Sequence, residues 1–174
     1  KDSAIPVNLK RVSIDLERDD IAAYPFLFFT GLDDFVLTAK QIETLQKHVN
    51  RGGTLVVNNA LGLATFHQAA VRELARAFPH NRLALLPQKH EIFRSLHTIS
   101  RVKYTPTLMK DKGKELNGLP VLFGAKVGGR TAVLYSPFDI EGGWNEVRYP
   151  LCRGYQSKSA KQLGCNIIMY AMEH

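Results

Sequence analysis

Apolar residues recur along this chain with two spacings, and each spacing predicts a different element. Val12, Ile14 and Leu16 alternate with Ser13 and Asp15, and that period of two predicts a half-buried strand. Phe26 to Phe29 form a continuous apolar run closed by Thr30-Gly31, the pattern of a strand covered on both faces. Thr54 to Val57, running into Asn58-Asn59, and Leu83 to Leu86, closed by Pro87, repeat it. Val121 to Val127 and Thr131 to Ser136 flank Gly128-Gly129, a two-residue turn whose positions both tolerate positive φ, which predicts a hairpin.

Between the strands the spacing becomes helical. Ile42, Leu45 and Val49 share one face behind the capping box Thr38-Ala39-Lys40-Gln41, and Gly52-Gly53 ends that helix. A second box, Thr65-Phe66-His67-Gln68, predicts a helix with Phe66, Ala70, Leu74 and Ala77 on one side and Pro79 beyond its end. A third, Ser159-Ala160-Lys161-Gln162, places Ala160, Leu163, Ile167 and Tyr170 toward the core. Residues 88–119 read as an irregular excursion with a short helix near Ile92 to Leu96, and residues 137–156 as one long loop. Strand and helix alternate through residues 26–86, which predicts right-handed β-α-β units. The expected fold is a flavodoxin-like α/β three-layer sandwich, with a mainly parallel sheet and an appended antiparallel hairpin.

The chain has 174 residues, 45% hydrophobic and 22% charged, enough for one domain with a sizeable core. This excludes a disordered or fibrous chain, and no apolar run reaches the roughly 20 residues of a spanning helix. Absence of an initiating Met suggests one domain over residues 1–174 excised from a longer protein. The net charge of +7 is concentrated in residues 88–174, which carry 13 Lys+Arg against 7 Asp+Glu. Those charges are scattered singly and no nucleic-acid module accompanies them, so a solvated basic face is expected rather than nucleic-acid binding. Anionic-polymer binding is the weakest of the readings the charge allows. Two cysteines cannot staple the fold; Cys165, inside the last helix, is expected in the core, and Cys152, in a polar loop, at the surface.

No phosphate loop, dinucleotide fingerprint, zinc-protease helix, C-x-x-C or G-x-S-x-G elbow is present, so no cofactor or metal is implied. In an open parallel sheet, ligands bind beyond the carboxyl ends of the strands. That rule singles out a polar crevice of Gly31, Asp33, Asn58, Asn59, His90 and Asp139. The Phe138–Tyr155 loop adds Trp144, the only tryptophan, as a possible anchor and Arg153 as an anion clamp. Each has a plainer reading: turn-forming Asp33, loop-bonding asparagines, a helix-capping His90 and a self-packed loop. Of the other histidines, His48 and His67 are expected on exposed helix faces.

Several segments taken together resemble the bacterial family catalogued as domain of unknown function 4159. They are Tyr24 to Gly31, Gly52-Gly53-Thr54-Leu55, Leu86 to Phe93, Cys152-Arg153-Gly154-Tyr155 and, most distinctively, Leu163-Gly164-Cys165-Asn166-Ile167-Ile168-Met169-Tyr170-Ala171. The resemblance implies a class I glutamine amidotransferase-like fold, and an extracytoplasmic place in a larger membrane-anchored protein. An amidotransferase needs a cysteine on the strained turn after a central strand. Here that turn reads Asn58-Asn59-Ala60-Leu61-Gly62, without Cys or Ser. The expected function is therefore non-catalytic binding of a small-molecule ligand or protein partner. The alternative is a hydrolase with His90 as base and Asp139 as orienter, with or without a metal.

Overall fold

The computed structural model describes residues 12–146 and 149–174. Five strands form one mixed sheet: β1 (Phe26–Gly31), β2 (Thr54–Asn59), β3 (Ala84–Leu85), β4 (Phe123–Val127) and β5 (Arg130–Ser136), in the order β1-β2-β5-β4-β3. Strands β1, β2 and β5 are parallel, with Phe29 opposite Val57 and Val57 opposite Tyr135. Strands β4 and β3 join antiparallel beyond β5. The expected β-α-β run through residue 86 thus stops at β2. The chain carries β3 to the far edge, where only the hairpin offers it a partner.

Neighbouring residues of the central strands face opposite cores, as the pleat dictates. Leu55, Val57, Val133 and Tyr135 join one core with helices α1 (Ala39–Asn50) and α2 (Ala64–Ala77). Val56 and Leu134 join the other, under helix α5 (Ser157–Glu173). Helices α3 (Pro106–Leu116) and α4 (Glu141–Trp144) complete the helical set. Leu108 of α3 and Trp144 of α4 pack into that second core. Helix α5 buries Ala160, Leu163, Ile167 and Tyr170, the four positions its spacing predicts.

Only the first of the three capping boxes forms: Thr38 accepts from the Gln41 amide while the Gln41 side chain accepts from the Thr38 N–H. Helix α2 starts at Ala64, before Thr65, without a side-chain cap. Ser159 lies inside α5, where its hydroxyl accepts from the Lys103 N–H. Residues 12–16 do not form the expected strand. Asp15 Oδ1 takes the Glu17 N–H at 2.9 Å and Asp19 Oδ2 takes the Asp15 N–H at 2.7 Å, which folds the segment into a turn. The excursion after residue 88 holds a three-residue 3-10 turn at Glu91–Phe93 and the unforeseen helix α3, which Thr105-Pro106 opens.

His48 is buried beside Gly53, not exposed. Burial holds its imidazole below the usual value against an opposing Thr54 backbone contact, and the Arg130 charge adds to the lowering. Burial lowers His90 as well. The folded protein keeps these rings neutral while the unfolded chain takes up protons below about pH 6.5. Their stabilising contribution is whole above that pH and shrinks as pH falls toward the folded values. Denaturant midpoints are therefore expected to drop from pH 7.5 to 5.5, and less steeply in His48→Gln.

Candidate functional site

The strand-end rule locates a polar cluster whose members are sealed from solvent. Asn58, Asn59 and Asp139 stand at the carboxyl ends of β2 and β5 and are 0%, 1% and 2% exposed. Asp139 is the hub. Its Oδ1 accepts from Asn58 Nδ2 at 3.2 Å and the Gly142 N–H at 3.1 Å; its Oδ2 accepts from the Leu61 N–H at 3.2 Å and Cys152 Sγ at 3.5 Å. Asn58 returns its carbonyl to the Ile140 N–H at 2.9 Å and donates also to the Thr30 hydroxyl. Asn59 clamps the following turn, accepting from the Leu63 N–H and donating to the Leu63 and Pro137 carbonyls. One buried carboxylate thus joins β2, the turn after it, α4 and the 152–155 segment, and every named donor finds an acceptor.

The turn after β2 is strained. Leu61 has φ 57°, a left-handed conformation that costs a branched residue about 1 kcal/mol or more. Its N–H is fixed by Asp139 and its carbonyl accepts from the Arg153 N–H at 3.0 Å. Gly62 follows at φ 66°, where a Cβ would meet the Arg153 carbonyl oxygen at 2.3 Å. The residue held at the left-handed position of this turn is leucine.

His90 does not join this cluster. The chain turns back after β3, so His90 caps the Glu91–Phe93 turn and its Nε2 lies 3.0 Å from the Thr131 hydroxyl, at the start of β5. Asp139 follows the other end of that strand, about 16 Å of β5 away at roughly 3.3 Å per residue. The base-and-orienter pair therefore does not assemble. Asp33 is exposed on the turn after β1. Gly31 is opposite Asn59, and a Cβ there would meet the Phe66 ring at 2.5 Å.

Both loop residues have partners within the chain. Trp144 donates Nε1 to the Ala160 carbonyl at 2.6 Å and lies 5.1 Å from the Phe28 ring, over Gly164. Arg153 pairs with Asp111 at 2.7 Å and ties the loop to α3. The cysteines exchange their expected places: Cys152 is buried and Cys165 is exposed. Burial, then the neighbouring Asp139 charge, pushes the Cys152 thiol up to about 12. Only the thiolate reacts with disulfide reagents. The native protein is expected to show one accessible thiol, lost in Cys165→Ser, with Cys152 reacting only on unfolding. Rapid loss of two thiols from the native protein would contradict this burial.

What solvent does reach is a cleft of ≈ 1040 Å³ against the outer wall of the cluster. Gly142 and Cys152, both bonded to Asp139, line its base with Tyr155. The start of α3 (Thr105, Pro106), the start of α5 (Gln156 to Ser159) and Tyr149 form its sides. Arg101, Lys103 and Lys158 carry positive charge into it. Sequence reasoning passed over these lysines as solvated charges. The usable signal was their position beside two helix starts, of which Thr105-Pro106 was readable.

A mixed five-stranded sheet under helices, with a sealed polar joint at its strand ends, defines an α/β domain. The chain belongs to the family described as Domain of unknown function (DUF4159), whose model matches residues 1–172. No curated protein matches it. Among the described residues, no helix is long and apolar enough to cross a membrane, and no group of three His, Cys, Asp or Glu side chains could hold a metal ion.

Proposed function

We propose that this is a non-catalytic binding domain on a class I glutamine amidotransferase-like, flavodoxin-like frame. It holds a small-molecule ligand or a protein partner in the cleft beside the 142–156 loop. It serves as a single sensing or scaffolding domain of a larger, membrane-anchored bacterial envelope protein. The observation that carries this reading is the elbow after β2. Leu61 occupies its strained position, and the nearby carboxylate is spent on four structural hydrogen bonds. Leucine offers no nucleophile, so acyl transfer at this turn has no attacking atom. The cleft, in contrast, is open and large enough for a drug-sized ligand.

The test is a thermal-shift screen of metals, nucleotides, amino acids, sugars and polyanions on the wild type and on Gln162→Trp, which fills the cleft from α5. A ligand selective for the folded state raises the midpoint as RT ln(1 + [L]/Kd). The expected result is a hit that Gln162→Trp abolishes. A hit untouched by that variant, or ammonia release from glutamine, overturns the reading.

A further inference from the structure

Resting on that cleft reading, we infer that the ligand is a sugar-like small molecule bearing a phosphate or carboxylate group. The charges lining the cleft are unbalanced. Arg101 and Lys103 from one segment and Lys158 from the start of α5 bring three cations, and none meets a carboxylate among the described residues. Arg101 is engaged only with the Asn117 carbonyl and amide oxygens. Among the described residues of the lining the acid is Glu146, which is taken by Lys161, and that pairing lowers its carboxyl pKa. Cations gathered in a concave wall attract anions more strongly than the same charges spread over a convex face.

The cleft's neutral groups set the rest of the ligand's chemistry. Gln156 donates its amide nitrogen to the Tyr104 carbonyl, so its oxygen remains as an acceptor, and Gln162 lies six positions further on, within α5. Tyr149 is 51% exposed and offers a ring face to a flat polar body. Helix α5 adds to the positive field, since it has no side-chain cap and no acid in its first turn. Hydroxyl-bonding amides, an aromatic wall and an uncompensated positive charge together describe an acidic sugar better than a neutral or a cationic ligand.

The experiment is calorimetric titration of the wild type, Lys103→Gln/Lys158→Gln and Gln162→Trp with D-glucose 6-phosphate, D-glucuronate and D-glucose. Both lysines are exposed, so the double variant keeps its fold, which circular dichroism verifies. The expected result is saturable binding of an acidic sugar, with glucose at least about tenfold weaker and the double lysine variant weakened by at least about tenfold. Preference between the two acidic sugars tells phosphate from carboxylate. Glucose binding as tightly as the acidic sugars, an unchanged affinity in the lysine variant, or no saturable binding of either acidic sugar overturns the inference. Glucose binding that Gln162→Trp alone abolishes would leave the cleft reading intact and remove only the charge requirement.

Discussion

Asp139→Ala is expected to lower unfolding stability by about 4 kcal/mol, because one truncation strands several buried donors at once. The Asn58 amide, the Leu61 and Gly142 N–H groups and the Cys152 thiol all lose their acceptor, and the Asn58 amide, 0% exposed, is out of reach of solvent. For a chain of 174 residues this corresponds to a fall in Tm of roughly 10 °C. The sign carries the information. A carboxylate kept for catalysis sits at a cost to stability, and its removal tends to stabilise the fold. A structural joint destabilises when it is cut. Denaturant unfolding of the wild type and Asp139→Ala separates the two, and unchanged or raised stability would falsify the structural role. A double-mutant cycle with Asn58→Ala is expected to show coupling of about 1–3 kcal/mol, since the two side chains share one hydrogen bond and one segment.

Asn166→Ala is expected to cost about 3 kcal/mol, for a related reason within the core under α5. Asn166 is fully buried in α5, and its amide makes four hydrogen bonds to the 92–97 segment. The oxygen accepts from the Leu96 and His97 N–H groups, and the nitrogen donates to the Ile92 and His97 carbonyls. That segment has little regular structure of its own, so these bonds replace a ladder. Asn166→Asp should be worse than alanine at neutral pH, because a carboxylate cannot donate and would face two carbonyl oxygens. Equal stability of the two variants, measured by guanidinium unfolding, would contradict this wiring. The segment Leu163-Gly164-Cys165-Asn166 thus has a physical content: Gly164 admits the Trp144 ring, Asn166 fastens a loop, and Cys165 merely faces out.

Local patterns were readable where one element decided them. The strands at Phe26 and Thr54, the Gly128-Gly129 hairpin and the core face of α5 follow from periodicity and turn chemistry alone, but only the Thr54 run is buried: β1 lies at the sheet edge with Phe29 36% exposed, not covered on both faces as its apolar run predicts. The strand-end rule also found Asn58, Asn59 and Asp139, since the carboxyl ends of parallel strands converge whatever the sheet's outer order. What failed depended on distant partners. His90 was assigned to the crevice because β3 reads as another parallel strand in series. In the fold β3 is two residues long at the far edge, and the chain doubles back to lay His90 against Thr131. Cys152 reads as surface because its neighbours are polar, yet Asp139 from across the site draws it inward. The cleft was invisible for the same reason: Lys103 and Lys158 are 55 positions apart in sequence and line one cleft only once the chain around Tyr104 has paired with that around Tyr155.

The measurement that bears most directly on how this domain works is an amide-resolved NMR titration of the wild type with D-glucose 6-phosphate. If ligands occupy the open cleft and the strand ends are a sealed joint, saturable shifts will concentrate on Lys103, Thr105 and Ser157 to Ser159. Asn58 to Leu63 will respond little. The contrary result is a set of largest shifts on Asn58 to Leu63 and Asp139, with the α3 and α5 starts unmoved. That would reopen the strand-end cluster as the place where this protein meets its ligand.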